Sequence, residues 1–188
     1  GVQTCALPIS TRGAVPTVED FVRQFDNEIA RYSLDDIEVV SIYNSGSVLN
    51  PAEMPLGALE RILDRISLIP TVRKVVLESR AEYVDAAAIS RYAVILGDTR
   101  RLTIAIGLES ADDTIRNLCL NKGVSFDIIA SAVRRLEGIA DVQLYVFLGI
   151  PFLTERESID DAEASLDTAP ELGADEKHIE PATLQKYT

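Results

Sequence analysis

Five short runs of β-branched and aliphatic residues, each set off by a stretch of helical period, limit what this chain can become. Residues 37–43, 72–77, 102–108 and 142–148 are apolar at nearly every position, and His178-Ile179 begins a fifth run. Strands of that kind are buried on both faces, and strands separated by helices pair in parallel. The helices carry start and stop signals. Thr17 precedes Val18-Glu19-Asp20 as a shortened capping box, and Phe21, Val22, Phe25, Ile29 and Tyr32 recur behind it. Residues 56–66 place Leu59, Ile62, Leu63 and Ile66 on one face. Residues 84–96 end at Gly97, a C-cap signal. A short helix is expected at about 112–120, another over 126–137 behind Ser125, and a last one from Thr154 to about Thr168. No hairpin signal interrupts this alternation, so the class is α/β with a parallel sheet. A doubly wound sheet and a partial (β/α)6 TIM-like barrel both accommodate it. Polar groups at four successive strand ends favour the barrel, whose strand ends share one mouth.

Composition narrows the function. The formal net charge is −12, from 18 Lys and Arg against 30 Asp and Glu. That argues against a nucleic-acid surface, which is built from Lys and Arg. No apolar run approaches the roughly 18 to 20 residues of a membrane span. The cysteines are Cys5 and Cys119 only, which fits a reducing cytoplasm and allows no metal cluster held by this chain alone. Residues 1–9, GVQTCALPI, correspond to one reading frame of a sequencing adapter and are set aside as non-native. Residues 10–188 then read as one domain without repeats or linkers, and as an internal piece of a longer protein.

Four strand ends carry groups suited to a ligand: Asn44-Ser45-Gly46-Ser47, Glu78-Ser79-Arg80, Glu109-Ser110, and Gly149-Ile150-Pro151. The Ser45–Gly46–Ser47 loop can offer backbone donors and hydroxyls to a carboxylate or an ammonium, with Gly46 allowing close approach. Glu78 and Arg80 can equally pair with each other, and Glu109 with Lys122 or Arg116. Lys122 before Gly123 also suits a helix end, where positive charge is favoured. Cys119 falls at helical spacing with Ile115 and reads as a small buried hydrophobe. His178, the only histidine, shows no partner in the sequence and reads as a rim or interface residue.

Five segments carry a family resemblance: SGSVLNPAEMP at 45–55, LESRAEYV at 77–84, IGLESADDTIRNLCLNKGVSF at 106–126, FLGIPFLTERESIDDA at 147–162 and HIEPATLQKYT at 178–188. Together they resemble a radical S-adenosylmethionine core of the archaeosine-synthase type, near the elongator-type tRNA-modifying proteins. The likeness implies a partial β/α barrel holding one [4Fe-4S] cluster, which reduces S-adenosylmethionine to start radical chemistry on a tRNA deazaguanine base. It also implies that Ser45, Gly46 and Ser47 receive the methionine amino group. By the same matching Glu78, Arg80, Glu109 and Lys122 line the cofactor site, Gly149 and Pro151 run beside the adenine, and Gln185 faces substrate.

One departure matters. The Cys-x-x-x-Cys-x-x-Cys loop of that family is absent, and a cluster needs thiolates. The expectation is a barrel lacking its first strand and cluster loop, inactive as it stands, with the 37–43 strand at an open edge and any tRNA contact supplied by other regions or a partner subunit. Two other readings remain. One is a non-catalytic S-adenosylmethionine-binding or scaffold barrel. The other is an unrelated β/α-barrel enzyme with Glu78 and Glu109 as an acid–base pair.

Overall fold

The computed structural model describes residues 16–44, 46–55 and 57–182. Helix α1 (Val18–Ile29) opens on Thr17, whose side chain accepts from the Asp20 N–H while Asp20 reaches back to the Thr17 N–H. Strand β1 (Val39–Ile42), α2 (Ala58–Ser67), β2 (Lys74–Ser79), α3 (Ala86–Leu96) and β3 (Arg101–Glu109) follow. Then come α4 (Phe126–Leu136), β4 (Asp141–Leu148), α5 (Glu155–Leu172) and β5 (Glu176–Pro181). Asp85, Ser125 and Thr154 cap α3, α4 and α5 with side-chain oxygens, and Gly97 ends α3. Helix α5 runs on to Leu172, with Pro170 inside its last turn.

Three sequence expectations need correction. The helix placed at about 112–120 is helical over 113–119, but Ile115–Cys119 wind as a π-helical turn. In it Arg116 is fully buried while Leu118 is exposed, because the guanidinium bonds the carbonyls of Ser110 and Val124 at 2.5 and 3.0 Å. Cys119 in the same turn is half-buried. Tyr32 lies beyond the end of α1 and is exposed.

All strands pair in parallel in the order β1-β2-β3-β4-β5. Sequential order without reversal is the winding of a barrel, whereas a doubly wound sheet reverses at a switch point. The sheet curls. Lys74 on β2 bonds Glu176 on β5 at 2.5 Å, and the Tyr145 hydroxyl on β4 donates to that of Tyr43 beyond β1 at 3.0 Å. Each pair bridges strands three ladder positions apart, about 14 Å in a flat sheet. The fold is therefore an α/β partial barrel, and among the described residues β1 and β5 are its edges.

The strands are not apolar on both faces. Val40, Ile42, Val75, Leu77, Leu102, Ile104, Ile106, Val142, Leu144 and Val146 point outward and join the helices in one core. Phe21, Val22 and Phe25 of α1, Leu59, Ile62, Leu63 and Ile66 of α2, and Ile129, Val133 and Leu136 of α4 complete it. By the registers, the other face carries Ser41, Lys74, Glu78, Thr103, Gln143, Tyr145, Glu176 and His178. The inside of the half-barrel is thus polar, and its strand ends open on a cleft.

Candidate functional site

The cleft encloses about 1180 Å³ at the C-terminal ends of the strands. All four strand-end segments contribute: Asn44 and Gly46 after β1, Glu78 to Arg80 from β2, Gly107 and Glu109 from β3, and Gly149 to Leu153 after β4. Lys122 closes one side, and Tyr43, Tyr145, Phe147 and Glu180 line the barrel interior beneath.

The β3 end is the most constrained part. A bulge shifts the β3–β4 register between Gly107 and Glu109, and Glu109 takes a left-handed backbone (φ 61°). Non-glycine residues rarely hold that conformation, which costs roughly 1–2 kcal/mol. The shift carries the Glu109 carboxylate over the strand end, where its Oε1 pairs with the Lys122 ammonium. A side chain at Gly107 would meet the Glu109 carboxylate and the Lys122 ammonium where they now sit, so the pair would have to move. Glu109 is nearly buried, and its second oxygen, Oε2, has no hydrogen-bond partner among the described residues. A buried carboxylate oxygen without a partner costs free energy unless something donates to it.

Lys122 is held through its backbone. Arg80 donates from Nη2 to the Lys122 carbonyl at 2.9 Å and to Glu82 at 2.6 Å. Arg80 therefore pairs with Glu82, not with Glu78, and Arg116 pairs with Asp113, not with Glu109. Glu78 has no ion pair among the described residues. Burial pushes its carboxyl up to about 7, with Glu109 and Glu180 adding to the rise and Lys122 opposing it. Burial and the bond to Tyr43 also push the Tyr145 phenol well above its usual range.

The loops after β3 and β4 are fastened to one stripe of α5, which the sequence left unmarked. Ser158 accepts from the Gly149 and Ile150 N–H groups at 2.7 and 3.2 Å. Asp161 accepts from the Ser110 hydroxyl at 2.7 Å, and Ser165 from the Ala111 N–H at 2.7 Å. All three are buried and lie at spacings of three and four, so they share a helix face. Their signal was available as small polar residues where an apolar stripe is expected.

Not every expected site residue faces the cleft. Gly46, Glu78, Arg80, Glu109, Lys122, Gly149 and Pro151 line it. Ser47 does not: it is fully buried, and its hydroxyl is shared with that of Ser79 at 2.8 Å. Ser45 and Gln185 lie outside the described residues. His178 does have neighbours, with Glu176 3.6 Å away and Tyr145 packed edge-on at 5.8 Å between ring centres. No helix of the described residues is long and apolar enough to cross a membrane.

No protein-family model matches the chain. In sequence it is 30% identical over 189 residues to archaeosine synthase subunit beta of Methanosarcina acetivorans, covering 100% of this chain and 54% of that protein. It is 31% identical over 183 residues to archaeosine synthase subunit beta of Thermococcus kodakarensis, covering 92% and 56%. An uncharacterized protein of Methanocaldococcus jannaschii is 28% identical over 191 residues, covering 99% and 52%. The chain spans about half the length of the curated relatives it matches. Among solved structures it superposes on an archaeal Methanocaldococcus infernus Elp3 with a TM-score of 0.64 at 16% identity, covering 100% of this chain and 46% of that one. A radical S-adenosylmethionine methyltransferase, TsrM, from Kitasatospora setae, solved with cobalamin and a [4Fe-4S] cluster, gives 0.54 at 15% identity, covering 90% and 31%. The fold is shared with these structures, and the sequence relatives include archaeosine synthase beta subunits.

Proposed function

We propose that this chain is the S-adenosylmethionine-binding half-barrel of a radical enzyme of the archaeosine-synthase type, acting in the cytoplasm on a tRNA deazaguanine. The one observation that carries the reading is the unpartnered, nearly buried Oε2 of Glu109 beside the Lys122 ammonium at the cleft wall. A ligand that brings hydroxyls, a carboxylate and an ammonium satisfies such a mixed site. Gly107 keeps the floor open there, and the Gly149–Pro151 segment offers an edge to a flat base. The relatives' names as beta subunits support a partner subunit, which would supply the tRNA surface that an acidic chain lacks.

S-adenosylmethionine with a [4Fe-4S] cluster supplies one-electron chemistry when both are bound. The cofactor suits the cleft, but the cluster does not suit this chain. Cys119 is the one cysteine among the described residues, and no group of three His, Cys, Asp or Glu residues there can hold a metal. This chain's own part is to bind and orient. Glu109 and Lys122 hold polar groups of the cofactor, Arg80 fixes Lys122 through its carbonyl, and α5 fixes the two loops above.

A second reading has one observation in its favour. Glu78, raised to about 7, stands in the same cleft as the ion-paired Glu109, which is how an acid and a base are separated. Calorimetric titration of S-adenosylmethionine into the chain and into Glu109→Gln tests both. The proposal predicts saturable binding that weakens about tenfold or more in the variant, the worth of a charged hydrogen bond. No binding to the unaltered chain, or equal binding to both, overturns it in favour of the acid–base pair.

A further inference from the structure

Glu109 holds its left-handed backbone at the centre of a three-residue turn. The Ser110 N–H returns to the Leu108 carbonyl at 2.8 Å, and with φ at 61° this is the rare, strained form of a γ-turn. Such a turn persists only where its surroundings over-determine it. Ser110 is fully buried and bonded at every polar group. Its hydroxyl donates to Asp161 at 2.7 Å, and its carbonyl accepts from Arg116 Nη1 at 2.5 Å.

Arg116 reaches further. Its Nε donates to the Val124 carbonyl at 3.0 Å, and its own carbonyl accepts from the Lys122 N–H at 3.3 Å. One residue thus bonds the neighbour of Glu109 through its side chain and Lys122 through its backbone. Glu109 and Lys122 are the two members of the ion pair at the cleft wall. Ser110 and Arg116 are fully buried, so neither touches a ligand in the cleft itself. A buried guanidinium is a costly way to fill a core, because desolvation works against its charge. An apolar side chain of similar volume would pack there at less cost, but it could not bridge carbonyls from two loops. Arg116 also sits in the π turn, a form that concentrates at functional sites.

We propose that Arg116 is a positioning residue that fixes the Glu109–Lys122 pair in its ligand-binding geometry. It acts through the Ser110 carbonyl on one side and, by anchoring its own turn, through the Lys122 N–H on the other. For its effect on a ligand the inference rests on the reading of the cleft as an S-adenosylmethionine site. It goes beyond that reading by naming a residue that acts without touching the ligand.

The test has two readouts. Backbone couplings and carbon shifts at Glu109, followed by NMR in the chain without ligand, report its φ. Arg116→Met keeps the length and burial of the side chain and removes both carbonyl bonds. The proposal predicts that Glu109 leaves the left-handed region in this variant while amides of α1 and α2 keep their shifts. The second readout is calorimetric S-adenosylmethionine binding to the unaltered chain, Arg116→Met, Glu109→Gln and the double variant. Arg116→Met should weaken binding by up to about tenfold where Glu109 is present, and by less than about twofold where Gln replaces it. An effect exerted through Glu109 disappears with it. Equal losses in the two backgrounds overturn the proposal, since they mark a general loss of structure. An unchanged Glu109 backbone in Arg116→Met overturns it too. If the methionine variant does not fold, Arg116→Lys, which keeps the charge but cannot bridge the two carbonyls, is read the same way. If the unaltered chain binds no S-adenosylmethionine, the cleft reading falls, and the Glu109 couplings alone decide whether Arg116 sets that turn.

Discussion

The two faces of the same sheet obey different rules. On the outer face, Leu77, Ile104, Ile106, Leu144 and Val146 are fully enclosed by helices and by one another. On the inner face, Thr103 and Gln143 are also buried, but Lys74, Glu78, Tyr145 and Glu176 beside them are partly exposed and bring charge and hydroxyls to the sheet. Stability resides mainly outside, where burial is apolar and closely packed. Inside, some groups are kept out of water without full compensation, as at the Glu109 oxygen and the Thr103 hydroxyl. Side chains in a strand alternate, so one strand serves both faces and substitutions one residue apart should behave in opposite ways.

The largest effect is expected outside. Ile104→Ala should remove about 2–5 kcal/mol of unfolding free energy in urea titration, since a fully buried aliphatic side chain is lost from a packed core. A cost under about 1 kcal/mol would mean the outer face is not the core described. The next effect is inside and depends on pH. The folded Glu78 holds its proton up to about 7, against 4.5 for an ordinary glutamate, so ionising it works against the fold. Its contribution is fully present below about pH 4.5 and is lost as pH rises through about 7. Urea midpoints measured between pH 5 and 8 should therefore fall with rising pH, less steeply in Glu78→Gln. Identical slopes would show that Glu78 is solvated like any surface acid. The smallest effect sharpens the contrast most. Thr103 lies beside Ile104, and its Oγ1 has no partner among the described residues. Thr103→Val should be neutral or stabilise by up to about 1 kcal/mol. A clear loss of stability would mean the hydroxyl is satisfied and the inner face is better paired than its geometry shows.

Most of the fold was legible because periodicity and capping are local. Thr17, Ser125 and Thr154 stand at helix starts, and four strands were visible as β-branched runs, whereas β5 showed only its His178-Ile179 pair among charged neighbours. The polar inner face was not legible, since Thr103, Gln143 and Tyr145 are single positions within runs that look continuously apolar. The π turn was missed because Arg116 is stabilised by loop carbonyls, which carry no period. For the site, the strand ends pointed to Glu78 and Glu109, and Lys122 was one of two partners offered for Glu109, but the bulge and the left-handed residue that bring that pair together are not announced by the sequence. Tyr43 meets Tyr145 across 102 residues of chain, and Glu53 meets Ser47 through a turn. Contacts of that kind appear only when the sheet has curled and the loops have closed.

The open end of this half-barrel is proposed above as a cofactor cleft. Titrating S-adenosylmethionine into isotopically labelled chain and following backbone amide shifts tests it most directly. The account predicts saturable shifts concentrated at Gly46, Gly107, Glu109, Lys122 and Gly149, while amides on the far side of α1 and α2 stay still. Shifts scattered over the surface, centred on the opposite end of the strands or absent at saturating ligand would contradict it.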